Sequence, residues 1–281
     1  MTPPHPDEAL ISRAWRDYFL ANQPAEGDLP WDDPCTLSAA EKRAIQRSIQ
    51  QFQLGENAQG RRLLDGGRAY GLASGDPQFA AALSAFIKEE QRHSAHLLRF
   101  MTLQGIPPVA AHWVDSSFRW LRNLAGLEVS LRTLVTAEII AVPYYRALRG
   151  ATRSPLLRAI CARILKDEAV HLRFQASMLS RIGARRSRVT NRAIFLAHRA
   201  LLLGTVLVVW REHEAVFVRA RYPFIRLLRE SLREFRGLER ASFKPPGGPP
   251  RTAAGRSPSL YSEAGRLDEE IRASHPARDG A

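Results

Sequence analysis

The chain has 281 residues, enough for one large domain or two small ones, and its 45% hydrophobic fraction is that of an ordinary globular protein. It has only two cysteines, Cys35 and Cys161, which excludes a disulfide scaffold and any metal site built from four cysteines. The formal charge of +13 is unusual and rests on arginine, since lysine occurs only at 42, 88, 166 and 244; such a bias reflects either base composition or an anionic partner, nucleic acid or a membrane surface.

Residues 1–37 read as a lead-in. Asp7 to Leu20 suits a short amphipathic helix with Ile11, Trp15 and Phe19 on one side, and the Pro/Gly-containing stretch 22–36 reads as loop. No basic-then-apolar run occurs near Met1, so no secretory signal is expected and a cytoplasmic location is the default. Ser38-Ala-Ala-Glu41 is a capping-box pattern that opens a first long helix, predicted to run to about residue 70. Gly55, Gly60, Gly66 and Gly67 lie inside it, which implies close packing against neighbours. Asp76-Pro77 caps a second helix, which ends near Gln104 at Gly105 and Pro107-Pro108.

Residues 109–125, with Trp113, Phe118 and Trp120, read as a crossing segment between two helical hairpins. A third helix covers 126–149, with Pro143 inside it. Ser154-Pro155 opens the fourth, which stops at Gly183 and carries Cys161 on its core face. Arg181, Arg185, Arg186, Arg188 and Arg192 then precede an apolar fifth helix, Ile194 to Trp210. It is short for a membrane span and better suited to burial or to an interface. Tyr222-Pro223 breaks the chain before a sixth, amphipathic helix. From 241 onward, with Pro-Pro-Gly-Gly-Pro-Pro after Lys244, a disordered tail is expected. The expected domain therefore spans 38–240 and is all-α: a four-helix bundle with two extra C-terminal helices.

Two segments carry the chemistry. Glu89-Glu90-Gln91-Arg92-His93 and Asp167-Glu168-Ala169-Val170-His171 each contain Glu-x-x-His preceded by a second acid. Residues three apart share a helix face, so Glu90 with His93, and Glu168 with His171, can each aim a carboxylate and an imidazole at one point. Two such motifs, each with one further Glu on the preceding helix, make the ligand set of a carboxylate-bridged di-metal site in a four-helix bundle. The further residues are Glu56 and Glu138. Each lies about as far from the intervening turn as its partner motif, roughly 20–28 Å at 1.5 Å per residue. Glu138 sits among Val135, Ile139, Ile140 and Val142, where an unpaired charge would be costly. Glu128 is the rival on that helix and Glu41 the rival for Glu56, but Glu128 is off the face and Glu41 has a capping position. A metal-bound His donates its other ring N–H to a carboxylate, so Asp167 is matched to His93 and Glu89 to His171 across the bundle. Tyr145 and Gln53 are candidates to line a cavity, with simple packing the favoured reading of each. His96 and His213 are lesser candidates, read as ordinary satisfied histidines.

On Glu56, Glu90-x-x-His93, Glu138 and Glu168-x-x-His171, residues 38–183 resemble the ferritin-like di-iron carboxylate superfamily. Helix order and the long link between hairpins are similar to rubrerythrins, ribonucleotide reductase small subunits, acyl carrier protein desaturases and p-aminobenzoate N-oxygenases. The resemblance implies two iron ions, or manganese, reacting with dioxygen or peroxide. The expected function is an oxidase or oxygenase acting on a small organic or lipid-like substrate, with an electron donor if it is an oxygenase, and with a homodimer allowed for. The absence of a Cys-rich rubredoxin module speaks against a peroxidase-type rubrerythrin. The alternatives are a non-enzymatic iron-handling protein and an arginine-rich bundle binding nucleic acid, including a tRNA-modifying di-iron hydroxylase. Peripheral attachment to an anionic membrane is a further option for the basic, apolar segment from Arg181 to Trp210.

Overall fold

A computed structural model describes residues 6–22, 29–57, 60–112, 126–184 and 186–250. Among these the chain is all-α, with no strand. The helices are α1 (Pro6–Ala21), α2 (Ala39–Glu56), α3 (Arg61–Ser74), α4 (Gln78–Leu103), α5 (Leu127–Ala151), α6 (Pro155–Gly183), α7 (Arg188–Glu212), α8 (Glu214–Arg219) and α9 (Phe224–Ser242). Helices α2, α4, α6 and α5 form a ring in which each packs on the next, and this is the bundle. Helix α1 lies along α4, α8 fits between α2 and α5, and α9 covers α5, α6 and α7. The crossing segment 113–125 and the tail 251–281 fall outside the described residues.

Helix starts follow the sequence signals. Ser38 Oγ accepts from Glu41 N, Ser154 Oγ from Leu157 N, and Ser187 Oγ from Thr190 N. The Glu41 side chain does not close the expected capping box. It is buried and instead accepts from Thr152 Oγ1 and Arg153 N, both at 2.7 Å, so it secures the turn between α5 and α6.

The first long helix is divided, contrary to the expectation of one helix to residue 70. Helix α2 ends at Glu56 and α3 begins at Arg61. Gly60 turns the chain with φ +58°, and a side chain there would collide with Ile87. The expected close packing is present at Gly66 and Gly67, where a Cβ would meet Leu127 and Leu83, but not at Gly55, where nothing among the described residues lies within 4 Å; Gly71, not singled out in the sequence, is also close-packed, against the Asp76 carbonyl. The fifth helix is also interrupted, at His213, before the Tyr222-Pro223 break. The tail begins later than expected: α9 reaches Ser242, Lys244 O accepts from Ser180 Oγ, and Gly247 O accepts from Trp15 Nε1.

Two contacts fix α1 against the bundle. The rings of Phe19, Phe86 and Phe174 meet with centroids 5.1–5.8 Å apart, and Trp15 adds an edge contact to Phe174. The second is polar. Asp76 Oδ2 accepts from Arg181 and from Ser12 Oγ, both at 2.6 Å, while Asp76 Oδ1 accepts from Gln78 N at the start of α4. Neither the Asp76 nor the Arg181 side chain is exposed to solvent. Arg181, which the sequence grouped with a basic surface cluster, is thus a buried strut joining α1, α4 and α6.

Removing one partner of a fully buried pair leaves the other charge uncompensated. Asp76→Ala is expected to cost about 3–5 kcal/mol in denaturant unfolding. The control, Asp65→Ala, breaks only the exposed Arg68–Asp65 pair and should cost about 1 kcal/mol or less.

Candidate metal centre

Helix geometry brings the two motifs face to face. Helix α4 supplies Glu89, Glu90 and His93; α6 supplies Asp167, Glu168 and His171; α2 ends on Glu56 and α5 carries Glu138. In each motif the first acid turns toward the other helix. His93 Nε2 meets Asp167 Oδ2 at 3.1 Å, and His171 Nε2 meets Glu89 Oε2 at 3.0 Å, the reciprocal pairing expected from the sequence. A carboxylate can only accept, so each Nε2 carries a proton, and each Nδ1 offers a lone pair whenever its ring is neutral.

Those lone pairs face a cluster of carboxylates. His171 Nδ1 lies 2.8 Å from Glu90 Oε1, 3.4 Å from Glu138 Oε2 and 3.5 Å from Glu168 Oε2, and His93 Nδ1 lies 3.9 Å from Glu90 Oε1. The six residues form two overlapping groups. Glu56, Glu90, His93 and Glu168 offer ligand atoms within 4.8 Å of one another, and so do Glu90, Glu138, Glu168 and His171. Glu90 and Glu168, the motif carboxylates, belong to both groups. All six predicted ligands therefore converge, while the rival Glu128 pairs with Arg132 and Arg186 outside the cluster.

Six such groups, largely buried together, could hold a metal ion. Glu90 Oε1, Glu138 Oε2, Glu168 Oε2 and both Nδ1 atoms are buried without a hydrogen-bond partner. Four carboxylates and two neutral imidazoles carry a charge of −4, which two divalent ions balance. Oxygen donors with two imidazoles suit iron, manganese or zinc. Without metal, protons must do the balancing. Burial, and then the nearby Glu138 carboxylate, push Glu90 and Glu168 well above the usual carboxylate range. Burial alone would lower His171, but Glu90, Glu138, Glu168 and Glu89 outweigh it and hold the ring well above its usual value. Glu138 moves the other way: burial opposes its charge, and close contact with Glu168 and His171 outweighs burial.

Around the ligands lies a second set of contacts. Asn22 Nδ2 donates to Glu89 Oε1 at 2.7 Å and to Asp167 Oδ1 at 3.2 Å, so the end of α1 spans both outer acids. Arg92 donates to Glu89 and Arg163 to Asp167. Asp167 is lowered, because contact with His93 and Arg163 outweighs the burial that opposes its charge. Sequence reasoning missed all three. Arg92, three after Glu89, and Arg163, four before Asp167, stand at the helical spacing that reveals them. Asn22 gives no such signal. Tyr145 OH donates to Glu56 Oε1 at 2.7 Å and so positions a ligand as well as packing. Gln53 joins α2 to α4 through Ser94. His96 lies outside the cluster beside Trp31, lowered to about 4 by burial. His213 bonds through Nδ1 to Ser48, which meets Tyr144 OH.

The cluster opens on a cleft whose empty space, open solvent included, is about 890 Å³. Its floor is Glu56, Glu90, Glu138 and Glu168, and its walls come from α2, α5, α7 and His213. The walls are largely apolar, with Phe52, Leu134, Ile140 and Val209 among them. Thr133 and Thr205 line it too, but their hydroxyls donate to backbone carbonyls one turn back. Gln51 is 9% exposed, and its amide N and O atoms both lack a partner. Neither motif histidine lines the cleft. His171 is backed by Phe86, with ring centroids 4.9 Å apart, and by Phe19. No family model, curated protein or solved structure matches the chain.

Protein purified and reconstituted with Fe(II) or Mn(II) is expected to hold two metal ions per chain by elemental analysis. His93→Ala and His171→Ala should each lower that content, and Glu90→Ala or Glu168→Ala should lower it further, since each removes a ligand common to both groups. A pH series adds a second check. Glu90, Glu168 and His171 bind protons more tightly folded than unfolded, so their contribution to stability is full at low pH and is lost as pH rises through the raised values. Chelated protein should therefore lose melting temperature as pH rises above the ordinary carboxylate range, and the gain on adding metal should grow over the same range.

Proposed function

We propose that the chain is a di-metal protein of the ferritin-like carboxylate type, holding two irons and oxidising or oxygenating a small organic or lipid-like molecule. The observation that supports this best is the placement of the two overlapping ligand groups at the floor of an apolar cleft. Glu90 and Glu168 would serve both ions. Glu56 with His93, and Glu138 with His171, would complete the two sides. Two irons so held would supply redox chemistry with dioxygen or peroxide, and an oxygenase reaction would need an external electron donor.

The rest of the reading concerns the chain's own groups. The apolar walls would take the body of the substrate by burial of its surface. Gln51, with a donor and an acceptor left without a partner among the described residues, would hold a neutral polar group of the substrate such as an amide or alcohol. Tyr145 would keep the Glu56 carboxylate oriented. An iron-handling role without organic substrate accounts less well for apolar walls of this extent. A nucleic-acid role is weakened because Arg181 is buried and Arg186 is engaged with Glu128.

The test is dioxygen uptake by Fe(II)-loaded protein, followed by mass analysis of a panel of medium-chain acids, amides and alcohols incubated under isotopically labelled dioxygen. The reading expects uptake that depends on Glu90 and His171, and a product that has gained oxygen or lost hydrogen. Gln51→Leu should keep both irons and raise KM about tenfold. Iron oxidation with no product from any panel member, and mineral growth beyond two irons per chain, would favour the iron-handling alternative.

A further inference from the structure

Helix α7 is apolar on two faces. Its inner face, with Phe195, His198, Leu202, Val206 and Val209, is buried against the bundle. Its outer face carries Val189, Leu196, Leu203 and Leu207, which are 79%, 70%, 38% and 59% exposed. At 3.6 residues per turn these four fall within a wedge of about 40°. Ala193 and Ala200 fill the gaps between them, and both are exposed. The neighbouring helix α9 shows the ordinary alternative, with Arg229, Arg233 and Arg236 turned outward.

Charge borders this stripe and has one sign. Arg188, Arg192 and Arg199 run along one edge, all exposed, and have no acidic partner among the described residues. No Asp or Glu occurs between Glu168 and Glu212. We infer that the outer face of α7 docks on an anionic lipid bilayer, with the four aliphatic side chains below the headgroups and Arg188, Arg192 and Arg199 against lipid phosphates.

Charge complementarity selects this occupant. A second copy set antiparallel on the same face would bring two arginine rows together, and in either orientation α7 offers no carboxylate between Arg188 and Arg211 to pair with them. Helix α7 is, among the described residues, the one helix long and apolar enough to cross a membrane, yet only 33% of its most apolar window is buried. Crossing is disfavoured by its inner face. His198 is held by Arg132 and Thr136 of α5, at 3.2 and 3.0 Å, and leaving the bundle would strand these polar groups in lipid. The helix therefore lies on the surface. Its inner residues Thr205 and Val209 line the metal cleft, so a lipid-like substrate would reach the cleft across the width of one helix. That last point rests on the proposed function; docking does not, and metal-free protein should bind membranes equally well.

Flotation of the full chain with phosphatidylcholine vesicles, with and without phosphatidylglycerol, at low and high salt, tests the inference. The expected result is binding to the anionic vesicles that weakens with salt, alike with and without metal. Arg188→Gln, Arg192→Gln and Arg199→Gln should each reduce partitioning about fivefold. Leu203→Glu with Leu207→Glu should abolish binding while the helical circular dichroism is kept, because both positions face outward. Absence of binding at low salt overturns the inference. So does undiminished binding by the Leu203/Leu207 variant, which would mean simple charge adsorption. A dimer that dissociates in that variant, with no vesicle binding by the native chain, would instead assign the face to a second copy.

Discussion

The structure depends on one unfavourable arrangement: four carboxylates and two imidazoles with little access to water. Burying one unpaired carboxylate costs several kcal/mol, so a fold containing four together must supply compensation. Much of the surrounding sequence can be traced to that need. Glu89 and Asp167 fix the imidazoles, Arg92 and Arg163 fix those acids, and Asn22 closes over both. Each outer contact removes a degree of freedom from a ligand without neutralising the centre. What remains at the centre is a set of lone pairs that only protons or cations can satisfy.

The centre was readable from the sequence because helical periodicity is strict. A Glu and a His three apart must share a face, and an acid directly before the Glu must point about 100° away from it, toward a neighbouring helix. Those two facts predict both the convergence of Glu90, His93, Glu168 and His171 and the crossed pairing of Glu89 with His171 and Asp167 with His93. Glu138 was found by its apolar neighbours. Glu56 was found by its height along the hairpin, even though the helix that holds it ends at that residue. The break between Glu56 and Arg61 stayed hidden because a glycine inside a helical pattern does not announce the left-handed turn that Gly60 makes, with Ile87 close by in the fold. Glu41 and Arg181 were misread for a related reason. Both look like surface charges in sequence, and only the packing of distant segments buries them against Thr152 and Asp76. Asn22 follows a helix end beside a loop, where nothing local marks it.

The two sides of the metal centre differ in a way that periodicity does not reveal. The imidazoles lie away from the cleft, where Phe19 and Phe86 pack against His171 and Phe174 packs behind both rings. The carboxylates face the cleft. An imidazole offers one lone pair in a fixed direction, whereas a carboxylate offers two oxygens and can shift between them as the charge on a metal changes. Rigid ligands therefore stand against the packed wall, and adaptable ones stand where a substrate would approach.

Helix α7 extends this asymmetry outward. On the closed side, α1 covers the centre with aromatic rings and is itself held through Ser12 to the buried Asp76–Arg181 pair, so access there would require dismantling the core. On the open side, the cleft is bounded by a helix whose inner face contributes Thr205 and Val209, and whose outer face is aliphatic and edged with arginine. A helix that only roofed a cleft in water would gain nothing from Leu196, Leu203 and Leu207 pointing outward, since exposed apolar surface carries a free-energy cost of roughly 25 cal/mol per Å². The same residues become favourable where the outside is itself apolar. The simplest physical account of both faces is a helix placed between two apolar compartments, the cleft within the bundle and the bilayer beyond it.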